Sequence, residues 1–171
     1  VLETPAKMAG WRRNSARGTG SAAGLGFARY KNTAAYVAVV AKVEVGTEVR
    51  VLEVYCGVDA GLVINPDGVI NQIEGGIIQA ISWTLKEQVG FDRGRVTAGS
   101  WKDYPILGFD EIPKVAVTLI ESPDSAPLGV GEAALGPAAA AVANAIARAL
   151  DFRIRDLPIT RQRIIAASSQ T

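Results

Sequence analysis

Two short stretches carry the residues best suited to chemistry. In Gly129-Val130-Gly131-Glu132, two glycines let the backbone come close to a ligand, and the pattern predicts a helix directly behind them. The free N–H groups and positive dipole end of such a helix suit an anion such as phosphate. Glu132 stands in the same corner. The chain has no histidine, so a carboxylate placed beside a bound cofactor is the best available general base. Gly129 and Gly131 also fit a plain turn, with Glu132 a favourable acidic residue in a first helical turn. The second stretch runs from Asn65-Pro66-Asp67-Gly68 to Gln72-Ile73-Glu74-Gly75-Gly76. Here Gln72 offers an amide beside a glycine pair that would admit a polar ligand; equally, the helix packs tightly on a strand with Gln72 and Glu74 on its solvated face. Asp59, at a predicted strand end, reads first as a turn former. Trp101-Lys102-Asp103-Tyr104-Pro105 mixes aromatic and polar types as binding loops do, and a partly buried strand end accounts for it as well.

Composition removes much of the remaining chemistry. At 171 residues the chain fits one domain. With 18 basic and 17 acidic residues the net charge is +1, so a general attraction to nucleic acid is not expected. The absence of histidine excludes His-ligated metals and Ser-His-Asp or Cys-His nucleophile systems. A single cysteine, Cys56, can form neither an internal disulfide nor an iron–sulfur cluster by itself, and reads as a core thiol. No apolar run is long enough for a membrane-spanning helix. The chain opens Val1-Leu2-Glu3-Thr4, with neither an initiator methionine nor a signal-like start. The expectation is therefore a piece of a longer polypeptide, with its compartment left open.

The elements that must hold these residues follow from periodicity. The expected class is α+β: a β-hairpin and further strands packed with two main helices. Residues 1–35 read as an N-terminal helix and a glycine-rich linker, and 36–171 as the domain portion proper. Within the first part, Leu2, Ala6 and Ala9 suggest a short helix over 2–10, followed by a basic, turn-prone stretch from Trp11 to Gly18. Gly18-Thr19-Gly20-Ser21-Ala22-Ala23 matches a dinucleotide fingerprint on paper, but no apolar strand precedes it, so a flexible connection is expected. Alternation of Val37, Val39, Ala41, Val43 and Val45 against Lys42 and Glu44 predicts a strand, and a turn at Gly46-Thr47 makes 36–60 an antiparallel hairpin. Ile70, Ile73, Ile77, Ile81 and Leu85 predict a helix over 69–89. Gly75-Gly76 sits in its middle at a cost of about 1 kcal/mol per glycine, which calls for a closely approaching neighbour or ligand. A turn at Asp92-Arg93-Gly94, an extended piece over 101–104 and a strand over 114–120 come next. An alanine-rich helix over 133–150 and a short one over 161–167, with Thr160 as N-cap, complete the chain.

Taken in order, Asp59-Ala60-Gly61, Asn65-Pro66-Asp67-Gly68, Gln72-Ile73-Glu74-Gly75-Gly76, Asp103-Tyr104-Pro105, Pro113, Gly129-Val130-Gly131-Glu132, Pro137, Asn144-Ala145-Ile146 and Leu157-Pro158 form a specific set. That set resembles the C-terminal part of the molybdopterin-binding large subunit of molybdenum hydroxylases, the xanthine dehydrogenase and aldehyde oxidase family. The likeness is greatest to the isoquinoline 1-oxidoreductase beta-subunit branch. The resemblance implies a fragment of the molybdopterin-binding domain of a larger subunit. It further implies oxidative hydroxylation of an N-heterocycle or an aldehyde with water as oxygen source, in which Glu132 deprotonates a molybdenum-bound hydroxyl. Gln72 would contact the pterin, with Gly129, Val130 and Gly131 beside it, and no side chain would ligate the metal. The cofactor implied is a molybdenum–pterin, the cytosine dinucleotide among its forms. The implied partners are the upstream part of the same subunit and a [2Fe-2S] iron–sulfur subunit that takes the electrons. Alone, the piece is expected to fold, to lack molybdenum and activity, and to self-associate. The family usually has proline after the motif's glutamate, where this chain has Ala133. A non-catalytic structural or assembly module of a multi-subunit oxidoreductase is the alternative.

Overall fold

The computed structural model describes residues 1–13 and 15–169; Asn14, inside the basic stretch expected as a connection, lies outside the described residues. The helices are α1 (Glu3–Ala9), α2 (Pro66–Leu85), α3 (Leu135–Leu150) and α4 (Arg161–Ser168). The strands are β1 (Ser21–Arg29), β2 (Tyr36–Val45), β3 (Val49–Asp59), β4 (Phe91–Asp92), β5 (Arg95–Val96) and β6 (Lys114–Leu119). A four-stranded sheet runs in the order β1-β2-β3-β6, with β1, β2 and β3 antiparallel neighbours and β6 parallel to β3. The α+β class and the hairpin of β2 and β3 agree with the periodicity. Strands β4 and β5 form a small separate hairpin whose turn places Arg93 and Gly94 at positive φ.

One face of the sheet carries the core. Val37, Val39, Ala41 and Val43 of β2 and Val54, Cys56 and Val58 of β3 alternate inward, as period-two patterning requires. They meet Ile73, Ile77 and Ile81 of α2 and Ala138, Ala141, Val142, Ala145 and Ile146 of α3. Each fully buried isoleucine contributes about 1.5–3 kcal/mol. Burial pushes the Cys56 thiol up to about 12, in keeping with a core thiol. Ile70, one turn before Ile73, is only half-buried. The second face is covered as well: Ala38 and Val40 are fully buried there, and Met8 of α1 accepts from the Thr118 hydroxyl at 3.3 Å. In α1 the buried side is Pro5 and Ala9, while Leu2 is exposed.

The glycine-rich stretch expected as a flexible linker is a correction. Residues 21–29 are strand β1, paired with β2 over its whole length, so the expected break between 35 and 36 falls inside one sheet. The reason lies in α3. A Cβ on Gly26 would sit 2.9 Å from the Ala141 amide nitrogen, and one on Gly24 would sit 2.8 Å from the Ala145 Cα. The glycines are there so that an alanine-rich helix can lie directly on the strand, and no local pattern reveals that. The basic stretch before β1 is pinned to the same helix, with Arg148 donating to the Arg12 and Arg13 carbonyls at 3.0 Å each.

Three helix ends and the 101–104 segment also differ from expectation. Helix α2 starts at Pro66, capped by the Asn65 side chain accepting from the Gly68 amide at 3.0 Å, and stops at Leu85 instead of 89. Its last turn is held by the buried Thr84, whose hydroxyl donates to the Ala80 carbonyl and whose carbonyl accepts from Ile159, while Lys86 turns away to Glu111. Helix α3 starts at Leu135 instead of 133. That start keeps Pro137 within the first turn, where its missing N–H is not needed. Residues 101–104 form a turn and not an extended piece, because the Asp103 carboxylate gathers the Gly99 and Ser100 amides at 3.1 Å each. Thr160 caps α4 as expected, accepting from the Arg163 amide at 3.4 Å.

Candidate functional site

The register places Arg29, Tyr36 and Asp59 side by side, so β1 and β3 finish at one end of the sheet. Strand β6 finishes there too, and the first turns of α2 and α3 begin there. The two chemistry-bearing stretches therefore share one corner. The chain following β6 lies against the β3–α2 connection, with Leu62 donating to the Ser125 carbonyl at 3.1 Å and Leu128 to the Ala60 carbonyl at 2.8 Å. Asp59 is a turn former, its side chain accepting from the Gly61 amide at 3.0 Å.

Gln72 and the glycine corner meet directly: the Gln72 side-chain amide donates to the Gly131 carbonyl at 2.7 Å. Residues 131–134 form a turn ahead of α3, closed by Ala133 donating to Val130 and Leu135 to Glu132. Glu132 thus stands before the helix and not in its first turn. Ala134, at the helix start, supplies no side-chain cap. Among the described residues no backbone acceptor is paired with the amides of Gly129, Val130, Gly131 or Glu132. A Cβ added to Gly129 or Gly131 would meet nothing within 4 Å, so both glycines face open space. The mid-helix pair is uncrowded as well. Gly75 is exposed with open space around it, and Gly76 leaves ordinary contact distance, 3.6 Å, to Ala134 and Leu135. Room for a methyl exists at both, so of the two reasons expected for Gly75-Gly76, a closely approaching neighbour or a ligand, the close neighbour is absent among the described residues.

Two clefts flank the corner. One, of about 420 Å³, is lined by Asn65, Val69, Gln72, Leu128, Val130 and Gly131. The other, of about 390 Å³, is lined by Arg29, Tyr30, Lys31, Glu132, Leu135 and Pro137. Tyr30, which sequence reasoning did not single out, donates its hydroxyl to Glu132 Oε2. That carboxylate beside it raises the Tyr30 phenol above its usual value. No signal in the sequence links two residues so far apart in the chain. A larger cleft, about 620 Å³, opens beyond the β2–β3 turn between Arg50, Leu85 and Arg161 and contains none of the residues expected in the site. Trp101 and Tyr104 lie away from both flanking clefts; Trp101 is 79% exposed, and Tyr104 donates to Glu87 at 2.9 Å. Among the described residues no group of three or more histidine, cysteine or acidic side chains could hold a metal ion, and no helix is long and apolar enough to cross a membrane.

Residues 4–113 match the family model of the molybdopterin cofactor-binding domain. The chain belongs to that family. It is 44% identical to a nicotinate dehydrogenase polypeptide of Pseudomonas putida over 153 residues, covering 84% of this chain and 13% of that protein. It is 39% identical to the isoquinoline 1-oxidoreductase beta polypeptide of Brevundimonas diminuta over 163 residues, covering 93% of this chain and 20% of that protein. Among solved structures, quinoline 2-oxidoreductase from Pseudomonas putida 86 superposes with a TM-score of 0.70 at 33% identity, over 80% of this chain and 18% of that one. The family match itself takes in Tyr30 and Gln72 and ends before Gly129. The chain spans a fifth or less of the length of these curated relatives. Its homologues include molybdenum-binding oxidoreductase subunits, and the family match covers the segment of Gln72 but stops short of the glycine corner.

Proposed function

We propose that this chain is the C-terminal portion of a molybdenum hydroxylase large subunit, with Glu132 as general base and Gln72, Gly129, Val130 and Gly131 as part of the cofactor cradle. The observation that carries the reading is the Gln72–Gly131 hydrogen bond, which ties the glutamine helix to the corner that holds Glu132. The donor set fits an anionic pterin: a run of amides with no backbone acceptor among the described residues, two glycines opening onto empty space, and an amide side chain alongside. When bound, the molybdenum–pterin supplies the two-electron acceptor for hydroxylating an electron-poor carbon of an N-heterocycle or aldehyde, with water as the oxygen source. The chain's own residues bind, orient and move a proton. Val130 and Gly131 present amides, Gln72 fixes the Gly131 peptide, and Glu132 takes up the proton released as the carbon–oxygen bond forms.

Electrons leave through a partner [2Fe-2S] subunit, consistent with a chain whose one cysteine is buried. The upstream part of the large subunit completes the cradle and the substrate pocket. The isolated chain exposes Phe91, Trp101 and Phe109 at 69%, 79% and 96%, which supports its self-association when purified alone. Light scattering is expected to show a dimer or larger species; a monomer at all concentrations would reject this.

The decisive test is Glu132→Gln in the full-length assembly. Molybdenum content stays at the wild-type level and single-turnover reduction by substrate slows at least about a hundredfold, since a positioned base contributes about 10²–10⁴. A rate within tenfold of wild type rejects Glu132 as the base and favours the structural or assembly module.

A further inference from the structure

The cleft on the Glu132 side is shaped by the end of β1 and the segment that follows it. Immediately after β1 the chain turns through Lys31 and Asn32, two consecutive non-glycine residues with φ of 50° and 60°. Left-handed backbone at such residues persists only where surrounding bonds impose it. Here the Tyr30 amide donates to the Ala35 carbonyl at 2.9 Å, and the Tyr30 carbonyl accepts from Ala34 at 2.9 Å and from Thr33 at 3.3 Å. The Tyr30 ring packs against the core edge, and the Lys31 ammonium lies 5.2 Å from its centre. Backbone and ring are thus both fixed, and the one polar atom left free to act is the phenol oxygen, which is aimed at Glu132.

We propose that Tyr30 is a positioning residue for Glu132: its hydroxyl holds carboxylate oxygen Oε2, so that Oε1 is the oxygen presented for proton transfer. Glu132 is exposed and sits in a turn with no other side-chain partner among the described residues. A carboxylate on such a turn samples several rotamers, and catalytic geometry must be held tightly for proton transfer to be efficient. A charge-assisted bond from a residue anchored on a different element removes that freedom. It also leaves two lone pairs on the unbonded oxygen. The inference rests on Glu132 being the base.

Two measurements test it. In the 171-residue chain, the four tyrosines labelled at ¹³Cζ are titrated by NMR, with the Tyr30 signal assigned by its loss in Tyr30→Phe. The Tyr30 phenol is expected to titrate at a lower pH in Glu132→Gln than in the wild type; an unchanged titration means that the bond is not formed in solution and overturns the proposal. In the full-length assembly, turnover is followed with quinoline, nicotinate and benzaldehyde as probes. Tyr30→Phe is expected to lower kcat about tenfold with KM and molybdenum content unchanged, the size of a lost bond to a charged group. In a Glu132→Gln background the same change is expected to have no further effect, because Tyr30 acts only through Glu132. A slow Glu132→Gln beside a wild-type Tyr30→Phe overturns the role of Tyr30 alone. Additive losses do the same. A Glu132→Gln at the wild-type rate overturns the base and Tyr30's role with it.

Discussion

Two glycine-rich regions of this molecule use the same residue for opposite ends. Along the seam between β1 and α3, Gly24 and Gly26 lack side chains because the backbone of α3 fills the space, and a Cβ at either would overlap Pro137, Ala141 or Ala145. At the corner, Gly129 and Gly131 lack side chains with nothing among the described residues to fill the space. The first pair is a packing device whose partner is internal. The second is an opening, flanked by Gln72 and by amides with no backbone acceptor among the described residues. A glycine is therefore informative about a ligand only once its neighbours are known. The mid-helix pair Gly75-Gly76 makes the same point, since the motif is prominent and yet neither position is crowded.

The sharpest way to break this comparison is to add carbon at both places. Gly24→Val in the isolated chain is expected to lower stability by about 3 kcal/mol, because rigid backbone atoms on α3 cannot yield as a side chain could. Gly131→Ala is expected to change stability by no more than about 0.5 kcal/mol, while lowering molybdenum content in the full-length assembly. Urea denaturation of the two variants reads the first quantity and elemental analysis the second. Equal destabilisation would show that the corner is a packing site like the seam.

A smaller effect is expected from Gln72→Ala. Losing the bond to Gly131 costs about 1 kcal/mol of stability, and in the assembly it weakens retention of the cofactor. Molybdenum content after gel filtration measures the second effect, and full occupancy with wild-type turnover would remove Gln72 from the cradle.

The smallest effect belongs to the opposite end of the sheet. The Lys86 ammonium, 2.5 Å away, and the Gly108 amide hold the Glu111 carboxyl below its ordinary value of 4.5. A lowered carboxylate contributes stability above about pH 4.5 and loses it as pH falls through the folded value. Lys86→Met should therefore reduce stability at pH 7 only within the roughly 0–1 kcal/mol typical of solvent-screened pairs. The difference from wild type should shrink as pH falls below 4.5 and the Glu111 carboxyl takes up its proton. A difference that persists undiminished in acid melting curves would mean that Lys86 acts through packing.

The parts legible from sequence are those written in short-range pattern. The alternation of 37–45 and the isoleucine spacing of α2 produce a hairpin and a helix where expected, and the ordered motifs point to the family. Asn65 and Thr160 announce helix starts through their capping chemistry. Where local signals fail, a distant neighbour is responsible. Strand β1 reads as a linker because its glycines look flexible in isolation, and only α3 gives them a reason. The local pattern starts α3 two residues early, although Pro137 already carries the information.

Residue types in the chain are enough to show that it offers no histidine and a single cysteine, and its ordered motifs point to the molybdopterin cofactor-binding family. Those are properties of composition and ordered motifs, which persist whatever shape the chain adopts. Only the folded sheet decided that Gln72 reaches Gly131, and that Tyr30, 102 residues earlier in the chain, donates to Glu132. Side-chain partners so far apart are set by strand register and by how closely a helix can approach. In this molecule that approach depends on the missing side chains of Gly24 and Gly26.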